Sequence, residues 1–131
     1  MNMRAFSVLA LAAASLLLAP ATPAPAQDPA VVNADEIRVK LENDRVRVLE
    51  ATLPPGAKEQ LHSHPAYVIY VITGGKVRNH SAEGKVTESE FTEGDTLYRD
   101  PRTHWAENIG TTTIHMILVE LKSPPGSKPG H

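Results

Sequence analysis

The sequence predicts an all-β fold, two antiparallel sheets closed into a barrel, and three observations carry the prediction. Apolar and polar residues alternate in IRVKLEN and RVRVLEATL, and YVIYVI is β-branched and aromatic, the patterns of strands with one or both faces in a core. Turn signals at Asn43-Asp44, Pro54-Pro55-Gly56, Gly74-Gly75 and Glu83-Gly84 separate these segments at short, regular spacing, as in sandwiches and barrels. No stretch beyond residue 26 keeps a helical period for more than two turns.

Residues 1–26 stand apart from this pattern. Arg4 supplies a positive charge, Ala5 to Ala19 is an unbroken small and apolar run, and Ala24-Pro25-Ala26 fits a small-x-small cleavage pattern before Gln27. This is the layout of a secretory signal peptide, too short and Ala-rich for a bilayer span of roughly 20 apolar residues. The expected location is periplasmic or secreted, with no membrane partner after cleavage. Residues 27–35 are small and polar and read as a lead-in segment. Residues 36–122 form the barrel, and 123–131, SPPGSKPGH, read as a disordered tail rich in Pro and Gly.

In chain order, IRVKLEN and RVRVLEATL are two half-exposed strands around the Asn43-Asp44 turn. Pro54-Pro55-Gly56 breaks the ladder and leads into a strand carrying Lys58, Gln60, His62 and His64 on one parity. YVIYVI then runs into Gly74-Gly75 as into a tight turn. KVRNHSAEGKVTESEFTEGD supplies two more strands around Glu83-Gly84. TLYRDPRTHWAENIG carries His104, and TTTIHMILVELK contains the apolar run MILV.

Composition narrows the function. After signal removal about 105 residues remain, enough for one domain with a modest core. The formal net charge of -2 becomes about -3 when Arg4 is lost, and no Lys/Arg cluster follows a phosphate backbone, so nucleic acid is excluded as a partner. With no cysteine there is no disulfide framework, and any metal must be held by nitrogen and oxygen.

His62 and His64 are two apart, so an extended strand places both imidazoles on one face, close enough to share one metal ion. Gln60, on the same parity, is a candidate extra ligand. Gly56, five residues, His62-Ser63-His64 and the later Gly75 resemble the first motif of the cupin family, G, five residues, HxH, three or four residues, E, six residues, G. The motif glutamate has no counterpart, because Val68 and Ile69 occupy its position. His104 and Asn108 match the end of the second motif, G, five residues, PxG, two residues, H, three residues, N, with Gly94 one residue closer than its opening glycine and Arg99 and Pro101 in place of its Pro and Gly.

The resemblance implies a jelly-roll barrel, or double-stranded β-helix, a mononuclear divalent metal on His62, His64 and His104, and a homodimer. Tyr67, Gln60 or Glu107 are candidates to complete the shell. HSHPAYVIYV and NIGTTTIHMILVELK look like small cupins grouped with β-alanine degradation proteins. Three neutral imidazoles favour zinc or copper, with iron, nickel or manganese as alternatives. His115 is expected in the core or lining the barrel, His80 in a loop and His131 in the tail. A buried His104 bonded to Asn108 is the structural alternative to a ligand. Trp105 is expected to pack on a barrel face or a subunit contact, with substrate stacking as the alternative. Two functions follow from different classes: a metal-dependent oxidoreductase, dioxygenase-like, acting on a small molecule, with Tyr67, Tyr70 or Glu107 as acid-base groups; or a module that binds a small ligand or the metal without turnover.

Overall fold

The computed structural model describes residues 27–124 and 126. The expected signal, residues 1–26, and most of the expected tail, including His131, lie outside the described residues. Among those described, one short helix, α1 (Pro29–Val32), precedes nine strands: β1 (Ile37–Glu42), β2 (Val46–Leu53), β3 (His62–His64), β4 (Tyr67–Thr73), β5 (Gly75–Ser81), β6 (Val86–Phe91), β7 (Thr96–Arg99), β8 (Arg102–Asn108) and β9 (Ile114–Leu121). They form a five-stranded sheet, β1-β2-β9-β4-β7, and a four-stranded sheet, β3-β8-β5-β6. All pairings are antiparallel.

Strand alternation builds the interior row by row. Leu49, Leu118, Ile69 and Leu97 lie in register across four strands of the larger sheet and face inward. Leu49, Ile69 and Leu118 are buried, with Ala51, Leu53, Val71 and Ile114 in the neighbouring rows. Each large aliphatic side chain so buried contributes about 1.5–3 kcal/mol. One row further along, the inward positions become Arg47, Glu120, Tyr67 and Arg99. The aliphatic core thus ends in a polar row at the end of the barrel where Pro65-Ala66 and Asp100-Pro101 carry the chain between the sheets.

The turns follow the sequence with one exception. Asn43 closes the β1–β2 turn, its Oδ1 accepting from the N–H groups of Arg45 and Val46 at 2.8 and 3.0 Å. Gly56, the opening glycine of the first motif, and Gly94, next to the opening position of the second, sit at φ 80° and 86°, a backbone region costly for residues with a Cβ. Gly74-Gly75, expected as a tight hairpin turn, is instead a corner: β4 and β5 belong to different sheets, and Gly75 already lies in β5. Glycine is needed at 74 because a Cβ there would lie 2.0 Å from the carbonyl oxygen of Phe91.

The lead-in is built into the domain. Asp28 caps α1 by accepting from the Ala30 N–H at 2.8 Å and pairs with Arg47. Ser63, between the two motif histidines, donates its N–H to Gln27 O at 2.9 Å. Asn33 is buried and reaches the site itself.

Candidate metal centre

β3 and β8 are neighbours, with His62 directly opposite His104. Alternation around Ser63 turns both motif histidines inward, and His62, His64 and His104 are 1%, 5% and 7% exposed. The Nε2 atoms of His62 and His64 are 3.0 Å apart, and one ring nitrogen from each of the three histidines lies within 4.8 Å of the others. His62 Nδ1–H donates to Gln60 O at 2.7 Å. That bond fixes the tautomer and leaves the Nε2 lone pair turned into the cluster.

The bonding pattern fits a cation. Neither nitrogen of His104 nor Nδ1 of His64 has a hydrogen-bond partner, although buried polar atoms are ordinarily paired. Burial, with the neighbouring histidines and Arg102 adding to it, pulls His62 down to about 4 and His104 to about 2; the Gln60 bond to His62 works the other way. Both are neutral at physiological pH, the form that binds metal.

Two carboxylates stand next to the trio. Glu59 is buried, with one oxygen (Oε2) accepting from the Ala106 N–H at 2.9 Å and lying 3.9 Å from His62 Nε2. Burial pushes its carboxyl up to about 7 against the lowering effect of that N–H, with Glu36 adding to the rise. Glu120 lies behind His64, its Oε2 3.7 Å from Nδ1. Arg47 grips the other oxygen of Glu120 through Nε at 3.0 Å and Nη2 at 2.8 Å. Burial works against the Glu120 carboxylate, but His64 and Arg47 outweigh it and hold it below the ordinary glutamate value. A carboxylate behind a ligating imidazole orients the ring and raises its basicity.

The trio opens into a cavity of about 240 Å³ that Glu59 and Tyr67 also line. The Tyr67 ring is 4.5 Å from that of His64, so Tyr67 belongs to the pocket. The other expected site residues do not. Gln60 is exposed and contributes only backbone, its N–H donating to Asn33 Oδ1 at 2.6 Å. The parity that selected it fails because residues 59–61 precede β3, and Glu59 turns inward instead. Tyr70 is 50% exposed on the outer face of the larger sheet. Glu107 is on the outer face of the smaller sheet, near Lys58, Arg78 and His80. Asn108 is buried away from the cavity, donating to Leu53 O and Thr112 O and accepting from the Gly110 N–H, a clamp on the loop before β9.

The remaining histidines take no part. His115 lies on the outer face, half-buried, 3.7 Å from Glu50, rather than in the core or lining the barrel. His80 is in β5, not in a loop, and stacks on Trp105 at 3.6 Å. Trp105 therefore packs on a barrel face. Sequence reasoning missed Glu59 and Glu120. Glu120 had a signal, since it shares the inward parity of Ile114, Met116 and Leu118. Glu59 had none, because irregular backbone sets its direction.

Two facing antiparallel sheets with three inward histidines, paired across adjacent strands at one end, define a double-stranded β-helix with a candidate metal site. The chain has the fold of a small cupin domain. A cupin domain from Bordetella pertussis Tohama I superposes with a TM-score of 0.61 at 29% identity, over 66% of this chain and 92% of that one. A double-stranded β-helix cupin from Methanocaldococcus jannaschii gives 0.54 at 15% identity, over 66% and 78%. A protein from Thermotoga maritima described as a predicted oxalate decarboxylase gives 0.50 at 21%, over 66% and 79%. The last two likenesses concern the fold alone. No protein-family model matches the chain, and no curated protein matches it significantly.

Proposed function

We propose that this cupin-fold protein is an exported, metal-dependent oxidoreductase acting on a small molecule held in the barrel. The observation that carries the reading is the opening of three buried imidazoles, with both nitrogens of His104 and Nδ1 of His64 unpaired, into a cavity that also contains a buried carboxylate. His62, His64 and His104 would hold the ion. When bound, a divalent metal supplies Lewis acidity or a redox centre for oxygen chemistry.

The chain's own residues account for the rest. The Gln60 carbonyl and the Glu120 carboxylate orient His62 and His64 from behind, and the aliphatic rows exclude water from the far side. Glu59, whose carboxyl burial pushes up to about 7, is placed to take or return a proton in the cavity. It fills the acid-base role that the sequence assigned to Tyr67, Tyr70 or Glu107.

Oxygen uptake by metal-loaded protein, assayed with a panel of small organic substrates, tests the reading. Uptake that disappears on metal removal and in Glu59→Gln supports it. Ligand retention without turnover of any substrate identifies the alternative, a binding module.

A homodimer is part of the same proposal. Leu41, Val48, Val119, Val68 and Tyr98 lie in register across all five strands of the larger sheet, and Leu41 and Tyr98 are 49% and 57% exposed on its outer face. An apolar row spanning a whole sheet suits a second copy of the same face. Light scattering is expected to give twice the monomer mass for the unaltered chain and the monomer mass for Tyr98→Lys.

A further inference from the structure

We propose that Arg99 and Arg102 form a carboxylate clamp in the histidine cavity, so that the molecule taken up is a small carboxylic acid with an apolar body. The proposal rests on the cavity being the substrate site and deepens that reading by naming the substrate class. Arg99 ends β7 and Arg102 begins β8, on either side of Asp100-Pro101. Arg99 is directly opposite Tyr67 and Arg102 directly opposite His64. Since Tyr67 and His64 point inward, strand pairing turns both arginines the same way, and both line the cavity.

Neither arginine is neutralised. Among the described residues Arg99 and Arg102 are half-buried and join no ion pair within 4.0 Å, whereas Arg47 is paired with Asp28 and Glu120, and Arg78 with Glu88 and Glu107. Arg99 donates only to the Tyr98 carbonyl, at 3.3 Å. The acidic groups nearby are otherwise engaged: Glu88 on the cavity wall by Arg78, Glu120 by Arg47, and Glu59 by the Ala106 N–H. Both arginine charges and a side-chain hydrogen bond from Arg102 act on the Tyr67 phenol, which burial nonetheless keeps above its ordinary value, and the Arg102 charge also reaches His62 and His104. The end of the cavity at the trio therefore carries surplus positive charge, which a divalent ion would increase.

Half-buried guanidiniums without a paired carboxylate are costly unless an anion completes them, and their planar forks match a planar carboxylate. Elsewhere the cavity is lined by the apolar Ile69, Val77, Phe91, Met116 and Leu118 and by the polar Asn79, Thr87, Glu88 and Ser89. A ligand with its carboxylate at the arginines lays its hydrocarbon part against the apolar side chains, with its α-carbon region toward the trio and Glu59.

Calorimetry with butyrate, butyramide and butyl phosphate tests the clamp on protein comprising residues 27–131, both metal-free and zinc-loaded. Butyrate is expected to bind about tenfold or more tightly than the isosteric amide in both forms. Arg99→Gln and Arg102→Gln are each expected to lose a similar factor at unchanged zinc stoichiometry, and Arg102→Lys to recover part of it. Equal binding of acid and amide, tighter binding of the phosphate than of the acid, or full affinity in both glutamine variants would overturn the proposal. The acid-amide comparison uses the unaltered chain and decides the matter even if a variant fails to fold. Zinc uptake without butyrate binding removes the clamp and leaves the metal site. Butyrate selectivity without zinc uptake removes the metal site and leaves the clamp.

Discussion

An ion held by three imidazoles loses a donor whichever one is removed, so His62→Ala, His64→Ala and His104→Ala are each expected to lower metal occupancy strongly. His80→Ala and His115→Ala are expected to leave it unchanged, since both rings lie on outer faces. Metal analysis after dialysis checks all five, and retention by His104→Ala would remove that residue from the donor set. The trio was legible because its residues carry fixed spacings on strands. Glu59 was not legible, and it gives the metal-free protein a distinctive pH response. His62 and His104, facing His64, Glu59, Glu120 and Arg102, have folded proton affinities below the ordinary histidine value of 6.5. The unfolded chain therefore takes up their two protons first as pH falls from 6.5 toward 4.5, and stability declines. Glu59, raised to about 7, has the opposite sign, because the folded chain retains its proton in that window. Two protons against one leave a net fall on acidification. The urea midpoint of metal-free protein is expected to drop from pH 6.5 to 4.5, and to drop more steeply in Glu59→Gln. A flat or rising midpoint on acidification would contradict the burial of His62 and His104 as neutral rings.

At the scale of elements, what the sequence reveals depends on whether a segment repeats. β1, β2, β4 and β9 carry period-two or continuously apolar patterns, and their existence and pairing direction could be read from them. Corners do not repeat. Gly74-Gly75 looks like a hairpin turn by composition, yet the chain changes sheet there, and only the long-range approach of the Phe91 carbonyl explains why residue 74 lacks a side chain. The lead-in is a similar case: four helical residues after Asp28 have no pattern to recognise, but Asn33 beyond them bonds the backbone N–H of Gln60 and contacts His62. Gly74→Ala is expected to destabilise the domain by about 1–3 kcal/mol or more, because β4 or β6 must shift to admit the methyl group. A urea midpoint equal to that of the unaltered chain would show that the corner is open.

For the molecule as a whole, the route by which it folds bears on the metal it carries. On the proposed export route the chain crosses the membrane unfolded and folds outside the cytoplasm, so the ion is taken from what that compartment offers. The donor set within mutual reach is three nitrogens. Glu59 stands beside His62, its nearer oxygen 3.9 Å from Nε2 and accepting from the Ala106 N–H, but it is not among the donors that lie within mutual reach. Nitrogen sites bind divalent ions with affinity rising from manganese through iron, cobalt and nickel to copper, with zinc below copper. Zinc or copper is therefore expected to predominate in protein isolated from its native compartment without added metal, as read by elemental analysis. Mainly iron or manganese would overturn this expectation and imply that Glu59 joins the trio as an oxygen donor. Glu59→Gln separates the two cases: with zinc or copper on three imidazoles its metal content is unchanged, whereas with Glu59 as a donor the variant loses its iron or manganese.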